Sequence, residues 1–202
     1  NIFLQGLTMG LAYVAPIGMQ NLFVINSALT NKRKRALLTA LIVIFFDITL
    51  SLACFFGIGT IMQKFKWLQM VILCVGSLIV IYIGISLLRA KTQDLEKDQP
   101  TMSIKKTISS ACVVTWFNPQ AIIDGTMMLG AFHVTLAAGQ ETPFITGVAC
   151  ASFSWFIGLT FLISLISSKF NAKVMRWINI VCGVIIIGYG IKLFVSFVQM
   201  LL

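Results

Sequence analysis

Charged residues are scarce in this chain of 202 residues, and acids are scarcer than bases. There are 15 Lys and Arg, six Asp and Glu and one His, so charged residues make up 10% of the chain. A soluble globular domain carries about 25% charged residues. Hydrophobic residues reach 58%, and the mean hydropathy is +0.97. The composition excludes an ordinary soluble domain and indicates an integral membrane protein.

Groupings of reactive side chains are also missing. The five cysteines are spread along the chain, with no C-x-x-C and no Cys/His cluster, so we expect no bound metal and no redox pair. There is no Gly-x-Ser-x-Gly elbow, no paired acidic motif and only one histidine, His133, near the end of an apolar run. We therefore expect neither an enzyme nor a cofactor-binding protein.

Long apolar runs are what the chain does contain. A membrane-spanning helix needs about 20 apolar residues, and six runs of that order predict an all-α membrane protein. Residues 1–29 lack a basic leading segment, so we expect them to be a span and not a cleaved signal peptide. The predicted spans lie near residues 2–29, 36–62, 67–89, 104–133, 144–168 and 174–201.

Two of these runs, the first and the fourth, contain a proline near the middle. Pro16 is followed by Gly18, and Pro119 is preceded by Asn118. Proline removes a backbone donor and clashes with the preceding turn, so we expect both helices to break there. In lipid, freed backbone groups need protein or a wet cavity around them. Corresponding breaks in two halves of a membrane protein indicate the substrate site of a transporter.

The two halves of the chain resemble each other beyond the prolines. Pro119 follows Pro16 by 103 residues, and Gly76-x5-Tyr82 recurs as Gly183-x5-Tyr189 after 107 residues. With three spans per half, the second copy must enter the membrane from the opposite side. We predict two inverted three-helix repeats, residues 1–89 and 106–202, joined by a polar connector over residues 90–105.

The basic residues predict the orientation. Most lie in the first, third and fifth loops, so the positive-inside bias puts these loops in the cytoplasm and both termini outside. Because the cations are divided among three loops, they do not form one nucleic-acid-binding face. The cations on the predicted cytoplasmic side are Lys32, Arg33, Lys34, Arg35, Arg89, Lys91, Lys97, Lys105, Lys106, Lys169, Lys173 and Arg176.

Two acids, Asp47 and Asp124, lie inside predicted spans. An intramembrane carboxylate costs at least about 2.5 kcal/mol on insertion scales, and it normally faces a cavity or a partner. Both are therefore candidate functional residues, with Gln120 one turn before Asp124 on the same helix face.

The amides beside the two prolines are candidates as well. Asn118 before Pro119 is typical of an N-cap with proline at the first helical position. The half-helix that follows would present free N–H groups and the positive end of its dipole, which suit a carboxylate. Gln20 and Asn21 follow Pro16 in the same way. The residues alone thus predict a secondary transporter for a small substrate with a carboxylate, and the two acids favour a cationic group on it.

These same residues resemble the lysine exporter (LysE) family, and most closely its arginine-exporter branch. The resemblance covers nearly the whole chain. It is carried by Gly6-Leu7 through Pro16-Ile17-Gly18-Met19-Gln20-Asn21, Asp47, Thr115-Trp116-Phe117-Asn118-Pro119 with Asp124, and Ala151-Ser152-Phe153-Ser154-Trp155-Phe156. It implies a multi-pass exporter of L-arginine or L-lysine in the bacterial inner membrane, driven by the electrochemical gradient, and we expect the coupling ion to be a proton.

On this reading, the half-helix ends after Pro16 and Pro119 would hold the substrate carboxylate. We expect the ligands there to be Gln20, Asn21, Asn118 and Gln120. Asp47 and Asp124 would bind the cationic groups or carry the coupling proton. A neutral amino acid or another small solute is the alternative substrate. A metal cation is less favoured, because Cys, His and acids do not cluster. Membrane lipid is an expected partner, and the sequence leaves a homodimer open.

Overall fold

The computed structural model describes residues 1–57, 61, 64–89, 102–167 and 172–201. Within these ranges the chain is helical and contains no strand. Most of the predicted connector, residues 90–101, lies outside the described residues, as do parts of the predicted ends of the second and fifth spans. The helices are α1 (Ile2–Val14), α2 (Met19–Thr30), α3 (Arg33–Phe55), α4 (Lys66–Arg89), α5 (Ile104–Trp116), α6 (Pro119–Gly125), α7 (Ala131–Thr135), α8 (Glu141–Ile166) and α9 (Ala172–Leu201).

Both predicted helix breaks are present. The first apolar run divides into α1 and α2, which meet at 77°. The fourth divides into α5 and α6 at Phe117 and Asn118, and a π-helical turn at Thr126–Gly130 then leads into α7. The missing backbone donor and the steric clash of proline therefore explain the helix breaks beside Pro16 and Pro119.

The second predicted span is interrupted before its end, and residues 58–60 and 62 lie outside the described residues. The sequence predicted a helix to residue 62, whereas α3 stops at Phe55. Gly57 follows with φ of 104°, a left-handed conformation that commonly ends helices and that glycine adopts without a steric penalty. A hydropathy plot does not register this stop, because the residues around it are apolar.

Two described helices, α3 and α8, are each long and apolar enough to cross a membrane. The bent α1–α2 pair makes a third if it counts as one span. The arrangement of six spans in two inverted repeats stays a prediction.

Close packing of α1 on α8 depends on glycine. A Cβ added at Gly6 would clash with the backbone carbonyl of Phe144, and one at Gly10 would lie 2.7 Å from the Cβ of Ala151. One at Gly147 would lie 2.7 Å from the backbone nitrogen of Leu7. Small residues let two helix backbones approach in this way in membranes. The crossing places the middle of α8 beside the first helix break.

The other contacts centre on α3, which packs against α8, α5 and α2. Its buried face includes Val43, Asp47 and Leu50. Helices α4 and α9 pack along each other, and α4 touches α6 where Gly76 lies against the ring of Pro119. Large apolar side chains on α4 and α9 are exposed; among them are Trp67, Tyr82 and Trp177.

The basic segments gather at one end of the bundle. The Arg35 guanidinium at the start of α3 donates to Met102 O at 2.7 Å and Thr107 Oγ1 at 2.6 Å, both at the start of α5. Arg33 lies over the ring of Phe161, near the end of α8, at 5.3 Å. The first loop, the start of α5 and the end of α8 therefore share one end, as the distribution of cations predicted.

Candidate functional site

The first helix break is held open by one amide. Asn21 Nδ2 donates to Val14 O at 2.9 Å and to Pro16 O at 2.8 Å, two carbonyls that the end of α1 leaves without helical partners. Its Oδ1 accepts from Trp155 Nε1 of α8 at 2.7 Å. Both ends of the amide are engaged, so Asn21 braces the break in this conformation.

The start of α2, by contrast, has no side-chain cap. Its N-cap is Gly18, in extended conformation, and no side chain of the described residues caps this helix end. A Cβ built on Gly18 would meet nothing nearer than Pro16 O at 3.9 Å. This helix end thus combines free donors, the positive end of a helix dipole and open space, the features that suit an anionic group.

The second break differs from the first. Asn118 Oδ1 accepts from the backbone nitrogen of Ala121 at 3.4 Å, and Pro119 occupies the first turn of α6. Asn118 therefore forms the N-cap that the sequence predicted. Both residues are buried, so this helix start is already partly satisfied by the protein.

Asp47 lies at the centre of a fully buried polar cluster, although α3 is otherwise apolar around it. The side chain has 0% exposure. Its Oδ1 accepts from Gln20 Nε2 at 3.0 Å, and its Oδ2 accepts from Ser152 Oγ at 2.6 Å. Gln20 Nε2 also donates to Thr115 Oγ1 at 3.1 Å. The cluster joins α2 and α3 of the first half to α5 and α8 of the second.

Asp124 occupies a different environment. It is half-buried, and its Oδ1 accepts from Gln120 Nε2 at 2.7 Å, the pairing expected one turn apart on a helix. Gly125 beside it lets neighbouring helices approach: a Cβ there would lie 2.8 Å from Cys54 Sγ of α3 and 3.3 Å from Tyr13 Cε2 of α1. The two acids thus belong to one region of the bundle.

An aromatic side chain three residues before each proline reaches into the opposite half of the chain. The Tyr13 hydroxyl, from the first half, donates to Ala121 O of α6 at 3.2 Å. Trp116 Nε1, from the second half, donates to Thr49 Oγ1 of α3 at 3.2 Å. Both contacts cross between the two halves of the chain, although Ala121 follows the break of the fourth run and Thr49 lies in the middle of α3.

Sequence reasoning identified some of these residues and missed others. Gln20 and Asp47 are brought together, and so are Gln120 and Asp124. Sequence reasoning gave no role to Ser152, Thr115 or Tyr13, which complete the region. A signal for Ser152 was present, because it follows Asp47 by 105 residues, close to the repeat offset.

The remaining ionisable candidate, His133, lies at the end of the bundle opposite the basic segments. Its Nε2 is 3.6 Å from Glu141 Oε1, and both side chains are partly exposed. The ring also packs edge-on against Phe55 at 4.8 Å. It is not part of the Asp47 cluster. In the described ranges of the chain, no three His, Cys, Asp or Glu side chains group as metal ligands.

Comparison with known proteins points to one family. The profile of the LysE type translocator family matches residues 11–196. The arginine exporter protein ArgO of Klebsiella pneumoniae (strain 342) is 32% identical over 188 residues, which cover 91% of this chain and 88% of that protein. ArgO of Salmonella schwarzengrund (strain CVM19633) and of Salmonella enteritidis PT4 (strain P125109) are each 31% identical over the same coverage. No solved structure matches the chain.

Proposed function

This chain belongs to the LysE type translocator family, and we propose that it exports cationic amino acids, L-arginine or L-lysine, from the cytoplasm. Its relatives are named as arginine exporters, which are not enzymes. The apolar helices and the family together make it a multi-pass membrane protein. We further propose that the protein lies in the bacterial inner membrane and that an electrochemical gradient drives the export of its substrate.

One observation carries the choice of a cationic substrate. The carboxylates of Asp47 and Asp124 lie in an apolar bundle. Among the described residues, neither forms a salt bridge with Lys, Arg or His. The ion pair that the described residues do contain joins His133 and Glu141 at 3.6 Å. A buried charge is costly unless it is paired. A substrate with an amino or guanidinium group supplies the missing positive charge, whereas a neutral side chain does not.

The two acids suit different tasks. Asp124 is half-buried and uses one oxygen for Gln120, so its second oxygen is the better placed to receive a cationic group. Gln120 orients it. Asp47 is enclosed by protein, with both oxygens engaged. We assign substrate binding to Asp124 and the coupling proton to Asp47.

The uncapped start of α2 at Gly18 is our candidate for the substrate carboxylate. Its N–H groups lack a side-chain cap, whereas those of α6 already meet Asn118. The sequence-based hypothesis placed the substrate carboxylate at both half-helix ends, after Pro16 and Pro119, and included Asn21 as a ligand. Here we propose only the start of α2 for the carboxylate. In this proposal Asn21 braces the break through its bonds to Val14 O and Pro16 O.

Orientation follows from the charge distribution. The basic segments at one end of the bundle support cytoplasmic first, third and fifth loops. Six spans with both termini outside are part of the same proposal.

A counterflow assay in proteoliposomes tests the substrate. With unlabelled arginine inside, the protein should accumulate labelled arginine, and external lysine should compete. Agmatine lacks the carboxylate and should compete poorly, and leucine lacks the cationic group and should also compete poorly. Leucine competing as well as lysine would favour a neutral substrate. Agmatine competing as well as arginine would refute the role of the α2 start.

A further inference from the structure

Ser152 has two acceptors within reach of a single hydroxyl hydrogen. Its Oγ lies 2.6 Å from Asp47 Oδ2 and 3.4 Å from Val148 O, one turn earlier on α8. The side chain is fully buried, so no water competes for either contact. The short distance to Asp47 is typical of a hydrogen bond to a charged oxygen.

A hydroxyl at this position suits both charge states of the carboxyl group. Serine can donate or accept, whereas the amide nitrogen of Gln20, on the other Asp47 oxygen, can only donate. When Asp47 is ionised, Ser152 donates to Oδ2. When Oδ2 carries a proton, the new O–H donates to Ser152 Oγ, and the serine hydrogen turns to Val148 O.

We propose that Ser152 is the positioning residue for a proton exchanged at Asp47 Oδ2, a role that rests on the proposed function. The step is one proton transfer from hydronium to the Asp47 carboxylate, which gives the neutral acid and one water molecule, and its reverse. No other covalent bond changes. The proton neutralises Asp47 without leaving a buried polar atom unpaired.

No described Lys, Arg or His side chain forms a salt bridge with Asp47, and the cations of α3 itself, Arg33, Lys34 and Arg35, lie at its start. The titratable side chains of Tyr13 on α1 and Cys54 on α3 both approach Gly125 of α6, and neither is a cation. Helix α2 has no titratable side chain. The other titratable groups on helices packed against α3 are Cys112, Asp124, Cys150, and, near helix ends, Lys105, Lys106, His133 and Glu141.

The position of the hydrogen bond between Ser152 and Asp47 explains how a proton on Asp47 would affect the whole bundle. Ser152 follows Asp47 by 105 residues. This offset lies between the 103 residues that separate the two prolines and the 107 residues that separate the two Gly-x5-Tyr pairs. The hydrogen bond therefore joins positions that the predicted repeat makes equivalent. Gln20 and Thr115 form a second bond across the same boundary. Neutralising Asp47 weakens its charge-assisted bond to Ser152, which loosens one half against the other.

The test compares Ser152→Ala and Ser152→Thr with Ser154→Ala. Ser154 is an exposed serine two residues along α8 whose hydroxyl donates to Ala151 O of its own helix at 3.0 Å. The first readout is the infrared carbonyl stretch of a neutral carboxyl group in purified protein, followed against pH. We expect a titrating band in the wild type, its loss in Asp47→Asn, a shifted frequency in Ser152→Ala, and the wild-type band in Ser154→Ala and Ser152→Thr.

The second readout is the pH profile of arginine flux. Ser152→Ala should move it to higher pH by at least about one unit, because losing a donor disfavours the ionised carboxylate; one unit is a tenfold change in proton affinity. If Ser152→Ala keeps both the infrared carbonyl band and the pH profile of arginine flux of the wild type, the inference is overturned. If the wild type carries no arginine but the band still shifts in Ser152→Ala, the proposed substrate fails and the role of Ser152 stands.

Discussion

Replacing Asn21 by Ala separates a bracing role from a ligand role. The change removes two bonds to the carbonyls of Val14 and Pro16 and the acceptor for Trp155 Nε1. A hydrogen bond between transmembrane helices contributes about 0.6 kcal/mol on average, and a typical bond in a protein contributes about 0.5–1.5 kcal/mol. Three bonds lost together should therefore cost about 2–3 kcal/mol.

The assay is thermal unfolding of the purified protein in detergent. For a chain of this size, 1 kcal/mol shifts Tm by about 2–4 °C, so Asn21→Ala should lower the apparent Tm by about 4–12 °C. Asn26→Ala is the matched control, because Asn26 is exposed on the same helix. An unchanged Tm together with a raised KM for arginine would refute the brace and return Asn21 to the substrate site.

Further substitutions test the packing, the accessible acid and the contacts between halves. Gly147→Val should abolish recovery of folded protein by size-exclusion chromatography, because its Cβ would clash with the α1 backbone; Gly158→Val, with nothing within 4 Å, should not. Asp124→Asn should cut arginine efflux at least about tenfold, or about 1.4 kcal/mol, at normal membrane insertion, and near-normal efflux would remove Asp124 from the site. Trp116→Phe should lower Tm by about 2–4 °C through the lost bond to Thr49. Thr49→Val should do the same, and fully additive losses in the double variant would argue against that bond.

Local chemistry explains which parts of the fold were predictable. Proline acts on its own helix, so the breaks beside Pro16 and Pro119 follow from the sequence, and so does the Asn118 cap three residues from its donor. The close α1–α8 crossing agrees with the small residues Gly6, Gly10 and Gly147 that form it.

What the sequence did not predict depends on distant partners. Asn21 meets Trp155 from 134 residues away, and Asp47 meets Ser152 from 105 residues away. Periodicity and composition report which face of a helix is buried, but not which polar groups on two buried faces meet. The offset of the repeat is the one feature that could have paired Asp47 with Ser152.

Efflux of labelled L-arginine from proteoliposomes under an imposed proton gradient tests the central claim most directly. The account predicts saturable efflux that the gradient accelerates in the wild type. It predicts efflux at least about tenfold slower in Asp124→Asn, and efflux that no longer responds to the gradient in Asp47→Asn. Wild-type efflux no faster than from empty liposomes, or unchanged efflux in both variants, would contradict it.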